Sequence, residues 1–379
     1  MVIRRRTTPR AVLSFRLSFR HRVGLLATAM LLALVPAGPA WAAPRVIEDS
    51  LTPTTASTTT PVSARLRVHT IGGCLTVQQL GVAVRDSAGN NLDFPGSRGT
   101  TTICGNGLTM TTAPRTFAPG TYTEFGYYKT SSGYHSLPSR TLTITGPGPG
   151  SPASGKSLAF DEEFDGPIAF GTRWNGSTTS AYEYGNHNPK DSKLDWLSPS
   201  AITVTGGLST FTATPGSNIL ENGMRSWNTG LLTTEGTTQN FRTRPGDYAE
   251  MRVKLPSAIG AWPAGWTWLD GNNEVDSFEY HPDNPNLLEI TNHVHPAAIY
   301  YTNANSVYPG AWITVGVHYG ETNDDWYVNG TLIYSDHTGV GSTWSPNIIL
   351  NLSISDGTYH PAPASTPIIF NADYVRVWR

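Results

Sequence analysis

Apolar and polar residues alternate in short runs along most of this chain, and clusters of turn-forming residues separate the runs. Ala64-Arg65-Leu66-Arg67-Val68, Val77 to Val84, Thr121 to Tyr128 and Thr141 to Ile144 are such runs. Alternation sends successive side chains to opposite faces, as in a half-buried strand. Ser87-Ala88-Gly89-Asn90-Asn91 is one of the intervening turn clusters. No segment there sustains the repeat of an amphipathic helix. The same rhythm continues through Ile202–Thr205, Tyr248–Val253, Leu287–Val294, Trp312–Tyr319, Ile348–Ile354 and Tyr374–Trp378. Asn329-Gly330, between Trp326-Tyr327-Val328 and Thr331-Leu332-Ile333-Tyr334, is a hairpin turn. The chain is therefore expected to be all-β.

Two breaks divide it. Arg4, Arg5 and Arg6, with further Arg to Arg22, precede an apolar run from Val23 to Val35, and Ala40-Trp41-Ala42 follows as a small-x-small cleavage site. Residues 1–42 are read as a secretory signal peptide; the apolar run falls short of the ~20 residues that span a bilayer. A secreted protein is expected. Removal of that segment leaves 19 basic against 28 acidic residues. Such a balance disfavours nucleic acid and anionic membranes as partners. The second break, Gly146-Pro147-Gly148-Pro149-Gly150-Ser151-Pro152 and the small residues to Lys156, reads as a linker over 146–156. Residues 43–145 then form a small Ig-like β-sandwich, entered through a Thr/Ser/Pro-rich tether at 43–60. Residues 157–379, some 220 residues of antiparallel strands, form a larger two-sheet sandwich. Cys74 and Cys104 are the two cysteines, and in an exported chain an even count favours a disulfide between them.

Glu274-Val275-Asp276-Ser277-Phe278-Glu279 carries the chemistry. Charged residues make up only 14% of the chain, so three acids in six positions beside Trp262, Trp266, Trp268 and Tyr280 do not form an ordinary solvated run. On a strand, Glu274 and Asp276 share a face. A β-bulge near Ser277-Phe278 returns Glu279 to that face. Three carboxylates on one face suit a carboxylate-driven hydrolase. The alternatives are a surface ladder or a cation site, but like charges on one face are costly without a use.

These six residues are preceded by Phe160-Asp161-Glu162-Glu163-Phe164-Asp165-Gly166, Thr229 to Thr234, Gly246 to Pro256 and Trp262-Pro263-Ala264-Gly265-Trp266. They are followed by Trp326-Tyr327-Val328-Asn329-Gly330 and Asp373-Tyr374-Val375-Arg376-Val377-Trp378. In this order the blocks resemble glycoside hydrolase family 16, and E-x-D-x-x-E is the bulged form of its signature. The resemblance covers nearly all of 157–379 and implies a concanavalin-like β-jelly-roll. It implies an endo-acting retaining glycosidase, with Glu274 as nucleophile, Glu279 as general acid/base and Asp276 between them. The partner implied is a polysaccharide, first a β-1,3- or mixed-linkage β-glucan, and a monomer is expected.

The resemblance places Trp266 as the groove tryptophan; Trp227, Trp268 and Tyr280 are further stacking candidates, since aromatic faces suit sugar rings. His293 and His295, two apart, are expected on one strand face; in related enzymes such a pair contacts sugar hydroxyls, and a structurally bonded pair is the alternative. No cofactor is expected for catalysis. Family members often hold a structural Ca²⁺, and Glu163 and Asp373 match its ligand positions. The segment after Glu279, Tyr280-His281-Pro282-Asp283-Asn284-Pro285-Asn286, departs from the common laminarinase pattern. A galactan hydrolase of the agarase or carrageenase type, and a lectin-like binding protein without turnover, are the rival readings. For the N-terminal module, Tyr122, Phe125, Tyr127, Tyr128 and Tyr134 could form a glycan platform, or the module could be a spacer.

Overall fold

The computed structural model describes residues 43–58, 61–148, 150–269, 271 and 273–379. The expected export signal, residues 1–42, lies outside them. Among the described residues no helix is long and apolar enough to cross a membrane.

The first part of the chain folds as two main sheets sharing one core. Arg45–Thr52, Arg65–Ile71 and Leu108–Thr111 form one; Thr55–Ser57, Gly133–Thr145, Gly120–Thr130 and Gln79–Arg85 form the other. Their inward-facing residues, among them Leu51, Leu66, Val68, Leu80, Val84 and Leu142, are fully buried. The Thr/Ser/Pro-rich entry is thus not a tether, because Leu51 and its strand complete the core. Cys74 and Cys104 are joined in a disulfide. Tyr122 is buried, with its hydroxyl donating to the Ala118 carbonyl, so it is withdrawn from any aromatic platform.

Residues 157–379 form a jelly-roll of two packed sheets. The outer sheet has ten strands. Its central run is Ser209–Ile219, Ile368–Trp378, Tyr248–Lys254, Trp312–His318 and Asp325–Val328. Asn329 and Gly330 both adopt positive φ in the hairpin that follows, as the tight turn requires. The inner sheet has six strands in the order Leu231–Thr233, Asn347–Ile354, Ala261–Trp268, Val275–Glu279, Leu287–Asn292 and Ala297–Thr302. Between the sheets lies one continuous core, including Phe211, Val253, Val275, Phe278, Ile290, Trp326, Leu350 and Phe370. Burial of such side chains contributes roughly 1.5–3 kcal/mol each.

The segment 146–156 is packed rather than free. Ala153 is buried against Tyr248 and Trp378, and Ser157 exchanges backbone hydrogen bonds with Arg379 at 2.8 Å each. Small residues here allow close approach to the outer sheet, a use of Gly/Pro/Ser composition that a linker reading overlooks.

Candidate active site

The register around Val275–Glu279 explains how three acids reach one face. Against the strand Ala261–Trp268, Asp276 lies opposite Trp266, Phe278 opposite Gly265 and Glu279 opposite Ala264, leaving Ser277 without an opposite number. On the other side, Asp276 pairs with Thr291 and Glu279 with Glu289, so three residue steps face two. This is the expected bulge. Ala264 and Trp266 are two apart on one face, so Asp276 and Glu279 share it. Val275 and Phe278 point the other way and are fully buried in the core. Gly265 makes room for this: a Cβ there would lie 2.6 Å from the Met251 sulfur and 2.8 Å from the Phe278 ring.

The carboxylates open into a cleft of about 650 Å³ lined by Trp262, Trp266, Trp268, Lys193, His293 and Tyr359, among others. Glu274, Asp276 and His293 each bring a polar atom within 4.8 Å of the others. The indole N–H of Trp262 donates to Glu279 Oε1 at 2.8 Å. His293 Nε2 lies 3.0 Å from Asp276 Oδ2. The indole N–H of Trp326 donates to the Asp276 backbone carbonyl at 3.0 Å, fixing the strand from the core side.

Electrostatics follow from this placement. Burial raises the Glu274 carboxyl above the usual range, the Glu279 charge adds to the rise, and His293 and Lys193 oppose it. Asp276 is raised by burial first and then by the charges of Glu279 and Glu274. The hydrogen bond to Asp276 pushes His293 up to about 9. At neutral pH His293 is therefore a cation, and Nε2 donates to Asp276.

Trp266 lies in the cleft and is held there. Its indole N–H donates to Asn351 Oδ1 at 2.8 Å, and the Asn351 amide donates to Ser353 Oγ at 2.8 Å. The Ser353 and Tyr182 hydroxyls both donate to Asp195 Oδ2 at 2.6 Å. Asp195 is fully buried. Trp268 also lines the cleft, its indole N–H donating to Ser180 Oγ at 3.1 Å.

Three expected contacts fall elsewhere. Trp227 lies on the strand Arg225–Thr229 of the outer sheet and packs against the main core. Tyr280 is fully buried, its hydroxyl donating to the Pro285 carbonyl. His293 and His295 do not share a strand face. The strand ends at Asn292, whose side-chain oxygen accepts the N–H groups of Val294 and His295 at 2.8 and 3.1 Å. In the resulting turn only His293 lines the cleft, while His295 Nδ1 meets the Gly339 carbonyl at 2.7 Å. Lys193 went unnoticed in the sequence. Its ammonium lies 4.8 Å from the Trp262 ring centre and 5.9 Å from that of Trp266. It belongs to a loop without periodicity, which leaves no sequence signal beyond its charge.

Glu163 and Asp373 do not fit a calcium cage as arranged. Arg376 Nε and Nη2 donate to the two Glu163 oxygens at 2.6 and 2.7 Å, and Asp373 pairs with Arg252. Two guanidinium groups thus neutralise the acids that would bind the ion, whereas Ca²⁺ wants six to eight oxygens.

No family model matches the chain. Among curated proteins it is 37% identical over 103 residues to an endo-1,3-1,4-beta-glycanase of Rhizobium meliloti (strain 1021), spanning 25% of this chain and 21% of that protein. It is 26% identical over 162 residues to glucan endo-1,3-beta-glucosidase A1 of Niallia circulans, spanning 34% and 24% respectively. The matches therefore cover about a quarter or less of those relatives' lengths. Among solved structures, the endo-beta-1,3-glucanase from Pyrococcus furiosus superposes with a TM-score of 0.51 at 22% identity, over 59% of this chain and 94% of that one. The catalytic domain of a laminarinase from Thermotoga petrophila RKU-1 gives 0.51 at 21% identity, over 59% and 98%. These likenesses establish a common fold. Residues 157–379 thus carry the jelly-roll that the sequence resemblance implied.

Proposed function

We infer that the protein is a secreted, endo-acting, retaining glycoside hydrolase of β-1,3- or mixed-linkage β-glucan. The observation that carries this reading is the bulged strand, which aims Glu274, Asp276 and Glu279 into one tryptophan-lined cleft. Retention needs two carboxyl groups roughly 5–5.5 Å apart, one to attack and one to protonate and later deprotonate. Glu274, whose ionised form the positive charges of His293 and Lys193 favour, attacks the anomeric carbon. Glu279 gives its proton to the departing glycosidic oxygen and then takes one from the incoming water. Asp276, between them, holds His293 and opposes simultaneous ionisation of the acids. Trp266 and Trp268 offer faces for sugar rings. The names of the two curated relatives, an endo-1,3-1,4-beta-glycanase and a glucan endo-1,3-beta-glucosidase, support the substrate class.

Release of reducing ends across laminarin, lichenan, agarose and carrageenan tests the reading. Laminarin and lichenan are the expected substrates, and Glu274→Gln is expected to lower kcat at least about a thousandfold. Full turnover by Glu274→Gln contradicts the mechanism. Glycan binding by the native protein without reducing ends supports the lectin-like rival, and preferential cleavage of agarose or carrageenan supports the galactan rival.

A further inference from the structure

Arg376 lies on the last strand of the jelly-roll, yet only 1% of its surface is exposed. Glu163 takes one edge of its guanidinium through two hydrogen bonds. The remaining partners come from the N-terminal sandwich: Nη1 donates to the Thr58 carbonyl at 3.2 Å and Nη2 to the Phe117 carbonyl at 3.1 Å. The Tyr374 ring covers the group, 3.7 Å from its central carbon. Four donor contacts are thus made by a guanidinium that carries five N–H groups. Every acceptor is an oxygen, a carboxylate or a carbonyl, which is the donor set of a hard-cation site. A planar fork matches a carboxylate in a way a spherical ion does not.

Neighbouring contacts repeat the pattern. Thr116 Oγ1 donates to Asp373 Oδ1 at 3.0 Å across the same boundary. Arg115, 6% exposed, forms an ion pair with Asp165. The turn at Gly207, with φ of +76°, closes over it; a Cβ there would lie 3.5 Å from the Arg115 guanidinium carbon. Of the acids expected to hold calcium, Glu163 is thus engaged by Arg376, and Asp373 by Arg252 and by Thr116 of the N-terminal sandwich.

The geometry points to a fixed clamp: the N-terminal sandwich is built onto the outer face of the jelly-roll, and the Arg376 guanidinium serves as an internal cation where a structural calcium was expected. The module is then part of the hydrolase scaffold, neither a loose spacer nor a freely swinging glycan binder. A buried ion pair contributes only when its remaining hydrogen-bonding groups are satisfied. The N-terminal carbonyls satisfy them, so the two parts unfold together.

Scanning calorimetry of the full mature chain tests this without any substrate, and so independently of the hydrolase reading. A single transition is expected, with the same midpoint in millimolar CaCl2 and in EDTA. Arg376→Gln strands Glu163 without its counter-charge and is expected to lower the midpoint by roughly 4–7 °C. Thr116→Val removes one bond across the boundary and is expected to lower it by about 1–2 °C. It decides the matter should Arg376→Gln fail to fold. Two independent transitions in the native protein, a midpoint raised by calcium, or a Thr116→Val midpoint equal to the native one overturns the proposal.

Discussion

At Asp276, burial raises the carboxyl while a hydrogen bond from His293 stabilises its ionised form, and the balance reaches Glu274 next door. In the proposed mechanism Glu274 must be ionised to attack. Its carboxyl is raised by burial and lowered by the positive charge of His293. Removing that charge therefore raises Glu274 further. In His293→Ala the acid limb of the kcat/KM profile is expected to move to higher pH; a limb that stays or moves down contradicts the role assigned to His293. Individual residues were unevenly legible in the sequence. The three acids stood out because charge is scarce around them. Trp227 was misplaced because an aromatic on a strand can face either side, and its strand belongs to the outer sheet.

The strand Val275–Glu279 depends on one extra residue and one missing side chain. Ser277 is the unpaired residue that turns Glu279 toward Asp276, and Phe278 fills the core space left by Gly265. Gly265→Ala is expected to cost about 1–3 kcal/mol through overpacking. Because the displaced Phe278 precedes Glu279, kcat is expected to fall about tenfold or more. Thermal unfolding and initial rates on one preparation check this; a stable, fully active variant contradicts the packing account. The bulge was legible because only an inserted residue brings three acids spaced this way onto one face. The strand end at Asn292 was not. Val294 and His295 continue the alternation, but the Asn292 side chain captures their N–H groups and turns the chain. Local side-chain competition of this kind is invisible to a period-two pattern.

At the scale of the whole molecule, the two-sheet jelly-roll was legible from strand rhythm and block order, since each strand must bury one face. What the rhythm could not convey was how its parts engage. The Gly/Pro/Ser segment packs on the outer sheet, and Arg376 gathers ligands from residues 58 and 117, far from it in sequence. The cleft shows the same dependence, because Lys193 comes from a loop while the acids come from the inner sheet. On the proposed function, this assembly makes Glu274 and Glu279 a retaining pair. Proton NMR of early hydrolysis of a β-1,3-linked gluco-oligosaccharide tests it most directly. With a retaining pair the β-anomer of the newly formed reducing end appears first and mutarotates to the α-anomer later; first appearance of the α-anomer contradicts retention.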